Sequence, residues 1–317
     1  MKALADAGLL AAVATGSVLG ASALLQARWP RRSPAAAILL WQALGLAAGL
    51  AAVGTLVSLS LPGENIGVAR SIMHLGTVFP ATAFRAPATS GVVSVLPAML
   101  LVLRIACLAA GLLLLASLCW VLIAASAAAV QARRRQRVLL SLLAHGDPKV
   151  PGALVVDYPT AAAYCLPGLH SKIVLSVATL ELLGRGELAA VLAHERAHLR
   201  ERHDLVLLPF TALRRGFPRS ATCAQAHRAV ALLVEMLADD RALRGRPARE
   251  LLSALVRFGT AGSCPAPTGA LAVAEGDMTA RVVRLLHPAR PLPAVANVAI
   301  CLAAGLLVAS TLALLVI

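Results

Sequence analysis

The chain predicts a multi-spanning α-helical membrane protein, with four transmembrane helices and a cytoplasmic α+β domain between the third and the fourth. Three observations carry this reading. Of the 317 residues 59% are apolar, and the mean hydropathy is +0.81, against about 45–50% apolar residues in soluble domains. Four uncharged runs are each long enough for a bilayer core about 30 Å thick. Between the last two of them, charge, turn signals and both helical and strand periodicities return.

The first span is Ala7 to Leu25, 19 residues without a charge. It reads as retained rather than as a signal peptide. Lys2 is its only basic flank, Asp6 interrupts the region before it, and a second apolar run follows almost at once. The second span is Ala35 to Leu61, the third Ile105 to Val130 and the fourth Ala294 to Ile317. The predicted organisation is therefore a membrane region 1–130 with helices over 7–25, 35–61 and 105–130, a domain over 131–293, and a last helix over 294–317.

Basic residues set the orientation. Arg28, Arg31 and Arg32 lie between the first two spans, Arg133, Arg134, Arg135 and Arg137 follow the third, and Arg281, Arg284 and Arg290 precede the fourth. The positive-inside rule puts all three groups in the cytoplasm. The loop 62–104, with Arg70, Arg85 and Arg104 against Glu64, falls outside. Twenty-six Arg against three Lys, with abundant Ala, Gly and Pro, suggest a GC-rich bacterial genome and hence a bacterial plasma membrane.

Gln131 to Pro293 holds 22 basic and 13 acidic residues. Anionic lipids above a cytoplasmic domain account for that surplus at about 1 kcal/mol for each nearby cation. Direct nucleic-acid binding is not expected, because Trp29, Trp41 and Trp120 all lie in or beside spans and no aromatic residues interleave the arginines. The six cysteines form no CxxC, and the outside loop has none, so neither a zinc ribbon nor an external disulfide framework is predicted.

Within the domain, Val138 to Ala144 reads as a short helix ended by Gly146-Asp147-Pro148. Ala153 to Val156, Ala161 to Leu166 and Lys172 to Leu175 read as short strands. Lys172 to Leu175 is the expected edge strand, able to hold an extended substrate by backbone pairing. Helices are expected from Ser176 to Leu183 with Ser176 as cap, from Glu187 through the 190s, from His203 or Asp204 to Arg214, from Gln225 to Leu243 and from Arg249 to Phe258. Gly259 to Gly276 reads as a loop.

His194-Glu195-Arg196-Ala197-His198 is the chemical signature of the domain. Histidines four apart lie one helical turn above each other, so both can reach one metal ion, while Glu195, about 100° round, can serve as general base toward water. A catalytic zinc, one per chain, needs a third protein ligand. Between Asp204 and Glu250 the only acids are Glu235, Asp239 and Asp240, and the first two share a face of a helix otherwise lined by Val230, Leu233, Val234, Met236 and Leu237. Carboxylates on an apolar face need a partner or a metal. Glu235 is accordingly expected to bind zinc and Asp239 to orient one histidine from behind, with Asp240 solvated. His203 and His227 compete as ligands, but each reads more readily as a satisfied or surface histidine. A donor toward the developing oxyanion is also expected, with Arg241, His227 and Tyr164 as candidates.

Ile173-Val174-Leu175-Ser176, Glu187 to His198, Arg202-His203-Asp204 and Glu235-Met236-Leu237-Ala238-Asp239 together resemble the gluzincin membrane peptidases of the BlaR/MecR antirepressor type. The resemblance covers roughly Ala153 to Arg257 and implies a zincin-like metallopeptidase domain in which His194, His198 and Glu235 bind zinc and Glu195 is the base. It further implies cleavage of a cytoplasmic winged-helix transcriptional repressor in signal transduction, sometimes with self-cleavage. The chain has no SxxK, so the penicillin-binding sensor domain of that type is expected to be missing. Two other functions stand beside this one. Around HExxH the chain also resembles HtpX-like quality-control proteases of membrane proteins, and a non-enzymatic signalling scaffold with a structural zinc site is the third reading, although such a site has no use for Glu195.

Overall fold

The structure is a computed structural model that describes residues 2–60, 95–148, 150–168, 171–261 and 274–316. Four of its helices are long and apolar enough to cross a membrane: α1 (Lys2–Gln26), α2 (Pro34–Ser60), α3 (Val95–Leu143) and α10 (Ala294–Val316). The expected loop 62–104 lies mostly outside the described residues, but its last ten positions belong to α3. At 1.5 Å per residue α3 is about 70 Å long, far more than a bilayer core. It also absorbs the short helix expected over Val138 to Ala144. No Gly or Pro stands between Leu112 and Leu143, and arginine is a good helix former, so nothing breaks the helix at the basic cluster.

The packing divides the chain into two units, the first comprising Met1–Ala27, Leu39–Trp120 and Pro293–Ile317. Small residues set its helix contacts. At Gly54 an added Cβ would meet Leu315 Cδ2 at 2.5 Å and Leu10 Cδ1 at 3.1 Å, so α2 approaches α1 and α10 at the distance that only glycine permits. Ala7, Ala47 and Ala51 are buried in the same way.

The second unit comprises Arg28–Ile38 and Val121–Leu292. Its sheet has the order β1-β2-β4-β3, from β1 (Ala144–Gly146), β2 (Ala153–Val156), β3 (Ala163–Leu166) and β4 (Lys172–Ser176). β2 and β4 run parallel, and the outer pairings are antiparallel. The strand expected at the edge, β4, is thus an inner strand. Its burial explains why, since Ile173, Val174 and Leu175 are all buried and so need cover on both faces. The edge nearest the HExxH helix is β3.

α4 (Val177–Leu182) is capped by Ser176, whose Oγ accepts from Thr179 N at 3.2 Å. α5 (Arg185–Arg200) starts at Gly184, whose N–H donates to Glu187 Oε2 at 2.8 Å, the one half of a capping box that a glycine can form. Leu188, Leu192 and Leu199 of α5 pack on Val155, Ile173 and Leu175 across one face of the sheet. Leu140 of α3, with Leu166 and Val174, closes the other face. α6 (His203–Gly216), α7 (Ala221–Ala242), α8 (Ala248–Thr260) and α9 (Ala274–Leu286) complete the unit. The loop expected over Gly259 to Gly276 falls largely on residues outside those described. α9 was not expected at all, although Met278, Val282 and Leu285 give it an apolar stripe that packs on Ala190, Ala242, Leu251 and Leu255.

Arg202 separates α5 from α6 with φ 51° and ψ 45°, the only non-glycine residue with positive φ among those described. A left-handed conformation is disfavoured for a side chain with Cβ by about 1–2 kcal/mol. Arg202→Gly is expected to raise the unfolding midpoint of the purified protein, and Arg202→Val to lower it, in thermal denaturation. Equal midpoints for the two variants would remove the strain from this turn.

Candidate metal centre

The period of α5 puts His194 and His198 on the same face, next to α7. Their Nε2 atoms lie 3.1 Å apart. From α7, Glu235 reaches between them, with Oε2 3.4 Å from His194 Nε2 and Oε1 3.5 Å from His198 Nε2. Ligand bonds of 2.0–2.2 Å in a tetrahedron separate neighbouring donor atoms by about 3.3–3.5 Å. Both carboxylate–imidazole distances match this spacing, and the two rings need to part by only a few tenths of an ångström for the three side chains to hold one zinc ion. They are also the group among the described residues in which three such donors converge, all within 4.8 Å of one another. The Glu235 side chain is 35% exposed, whereas those of His194 and His198 are 9% and 14% exposed, so the centre is walled by the histidines and open beside the carboxylate.

Glu195 stands on the next ridge of α5. Burial, followed by the charge of Glu235, raises its carboxyl above the ordinary glutamate range. The Cys165 thiol of β3 lies against it and is itself pushed up by burial and by Glu195.

A second ring of groups holds the histidines from behind. Asp239, only 1% exposed, places Oδ1 3.0 Å from His194 Nδ1, close in distance although not in line with the ring N–H. Arg281 of α9 grips the same carboxylate with two bonds, Nε to Oδ2 at 2.8 Å and Nη2 to Oδ1 at 2.6 Å, and its Nη1 lies 2.9 Å from Glu235 Oε2. Behind His198 stands His203, 2% exposed, with its Nδ1 3.0 Å from His198 Nδ1. On an uninterrupted helix His203 would lie about half a turn from His194, and only a break near Glu201 or Arg202 could bring it back. The left-handed Arg202 is that break.

Charge follows this architecture. Burial opposes a charged imidazole at His194, but Asp239 and Glu235 outweigh it and push the ring up to about 9. His198, which has no carboxylate behind it, is held down to about 4, chiefly by burial. Burial opposes ionisation of Glu235 and Asp239, yet Arg281 and the histidines keep both below the usual carboxylate range.

Each of the suggested oxyanion donors has other close neighbours. Arg241 is engaged by Glu201, His227 lies near Arg214 and Arg215, and Tyr164 packs with Leu140 and Val174 on the sheet face away from α5. Asp240, expected to be solvated, is gripped by Arg284 through bonds of 2.7 and 2.9 Å. In the sequence Arg281 stands out only as a basic flank of the last span. A signal for it exists, because it falls on the Met278–Val282–Leu285 stripe of α9, where a charge requires a partner just as at Asp239.

Residues 129–236 match peptidase family M48. This M48 domain includes the HExxH helix and ends one residue after Glu235, so Asp239 and Arg281 lie beyond the match. The match implies a metallopeptidase, of a family that is metal-dependent and typically zinc-dependent. No curated protein and no solved structure matches the chain.

Two outcomes follow from the centre. Purified protein should hold about one zinc, Glu195→Gln should keep it, Asp239→Ala should bind it more weakly and Glu235→Ala far more weakly, as read by metal analysis after dialysis. Full zinc retention in Glu235→Ala would assign the third ligand elsewhere. The raised pKa of His194 means that at pH 7 an incoming ion must displace a proton. Zinc uptake in weak buffer should release about one proton per ion at pH 7 and progressively fewer as pH rises through 9, above which the ring is already neutral. Release that does not change over this range would contradict the carboxylate support of His194.

Proposed function

We propose that this protein is a membrane-anchored zinc endopeptidase, with its centre on the cytoplasmic side of a bacterial plasma membrane, that cuts polypeptide held as an extended strand. The observation that carries this reading is the convergence of His194, His198 and Glu235 on one point beside Glu195. Four long apolar helices support the anchor, and the arginine asymmetry supports the orientation.

His194, His198 and Glu235 would hold the zinc ion. When bound, it supplies a Lewis acid for a scissile carbonyl oxygen and acidifies water. Glu195, with a pKa raised by burial, is a stronger proton acceptor than an exposed glutamate. Its carboxylate takes a proton from the attacking water and returns it to the leaving amide nitrogen. The products are a new carboxylate and a new amine, with Glu195 restored. Asp239, anchored by Arg281, keeps the Nδ1 proton of His194 turned away from the centre.

Among the described residues β3 is an outer strand, and its outer edge supplies the substrate groove in this reading. Ser176 N donates to Ala162 O at 2.9 Å, so by antiparallel alternation Ala163 and Cys165 turn their N–H and C=O groups away from β4. A strand paired there would run past Glu195, against which Cys165 lies.

Under the antirepressor resemblance the substrate is a dimeric winged-helix repressor, and one cut would remove several phosphate contacts from its grip on DNA. The M48 match covers the helix around which the chain also resembles HtpX-like proteases, and this supports a second reading, the removal of damaged membrane proteins. One experiment separates them: a survey of new protein N-termini in cells carrying wild type or Glu195→Gln. A single Glu195-dependent site in a DNA-binding protein is the expected result. Many sites in damaged membrane proteins would install the quality-control reading, cuts confined to the outer side of the membrane would reverse the orientation, and identical profiles would remove the peptidase.

A further inference from the structure

His198 has a built support of a different kind from that of His194. We infer that His203 is a positioning residue that fixes the ring proton of His198 on Nδ1 and so leaves its Nε2 lone pair facing Glu235 and His194. The inference rests on the zinc reading above and adds a role for a residue outside the ligand set.

The argument is one of proton count. The two Nδ1 atoms are 3.0 Å apart, a hydrogen-bond distance, and only one of them can carry the shared proton. If His203 donated, the proton of neutral His198 would sit on Nε2 and block its inward lone pair. If His198 donates, its Nε2 is free, and the proton of neutral His203 sits on the far nitrogen. That nitrogen, Nε2, lies 3.5 Å from Glu201 Oε2, within ion-pair reach although not in line for a hydrogen bond. Glu201 is in turn held by the Arg241 guanidinium of α7. The carboxylate thus favours a proton on His203 Nε2, which makes His203 Nδ1 the acceptor. The rings meet edge to face, with centroids 4.8 Å apart and planes at 88°.

Backbone geometry supports the same assignment. On an uninterrupted helix, position 203 would lie about 140° round from His198. The left-handed Arg202 ends α5 and turns His203 back against His198, and strain of this kind persists where the surrounding structure depends on it.

The test uses the full chain purified in detergent, with zinc affinity measured against a chromogenic chelator and with the visible spectrum of the cobalt-loaded protein. His203→Leu removes the acceptor and keeps bulk. It should weaken zinc binding about 10–100-fold and alter the cobalt bands. His203→Asn, whose side-chain oxygen can stand near the former Nδ1, should recover most of the affinity. Wild-type affinity and spectrum in His203→Leu would overturn the inference, as would an Asn variant no better than the Leu variant. If His203→Leu does not fold, Glu201→Leu replaces it, with a loss of about 3–10-fold expected and unchanged affinity counting against the role. A wild type that binds no zinc would overturn the metal reading itself, and this inference with it.

Discussion

A carboxylate sealed inside a protein must be met by positive charge or by hydrogen bonds, and Asp239 is sealed. It lies on the apolar face of α7 among Val234, Met236, Ala238 and Ala242, where an unpaired charge is disfavoured by several kcal/mol. Two groups answer it, His194 from α5 and Arg281 from α9. Three helices that are distant in sequence are thereby pinned at one point. The same guanidinium reaches Glu235, so the carboxylate nearest the histidines is oriented by the contact that neutralises Asp239.

The two histidines are supported in unlike ways. His194 is backed by a charged pair, which draws a proton onto the ring, and His198 by a neutral ring in a tight turn, which does not. In a centre with two imidazoles 3.1 Å apart this asymmetry matters, because two protonated rings at that distance would repel strongly. One charged and one neutral histidine is the arrangement that the surroundings favour.

What was legible in the sequence depended on how local each cause is. The helix α5 and its face of two histidines follow from helical period within sixteen residues, although the helix starts at Arg185, two residues before the expected Glu187. Glu235 and Asp239 were legible because acids at helical spacing on an apolar stripe contradict their surroundings. The edge of the sheet was not, since strand order is decided by pairing between segments, and β2 reaches β4 past β3. His203 was hidden by a single residue: a helical projection carried through Arg202 puts it on the wrong side, and no propensity announces an arginine in a left-handed conformation. Arg281 is hidden in another way, because an arginine close to an apolar run has a topological explanation ready before a structural one.

The boundary of the family resemblance and the boundary of the folding unit do not coincide. The M48 match ends at residue 236, whereas the guanidinium that compensates Asp239 arrives at residue 281, on a helix whose Met278, Val282 and Leu285 also cover Ala190 at the back of α5. An excised fragment drawn to the limits of the match would therefore contain the HExxH signature complete, yet lack both Asp239 and its cation, and would expose the apolar back of the helix that carries the histidines. Design of a soluble catalytic fragment should treat Leu286, rather than Met236, as the natural end of the domain.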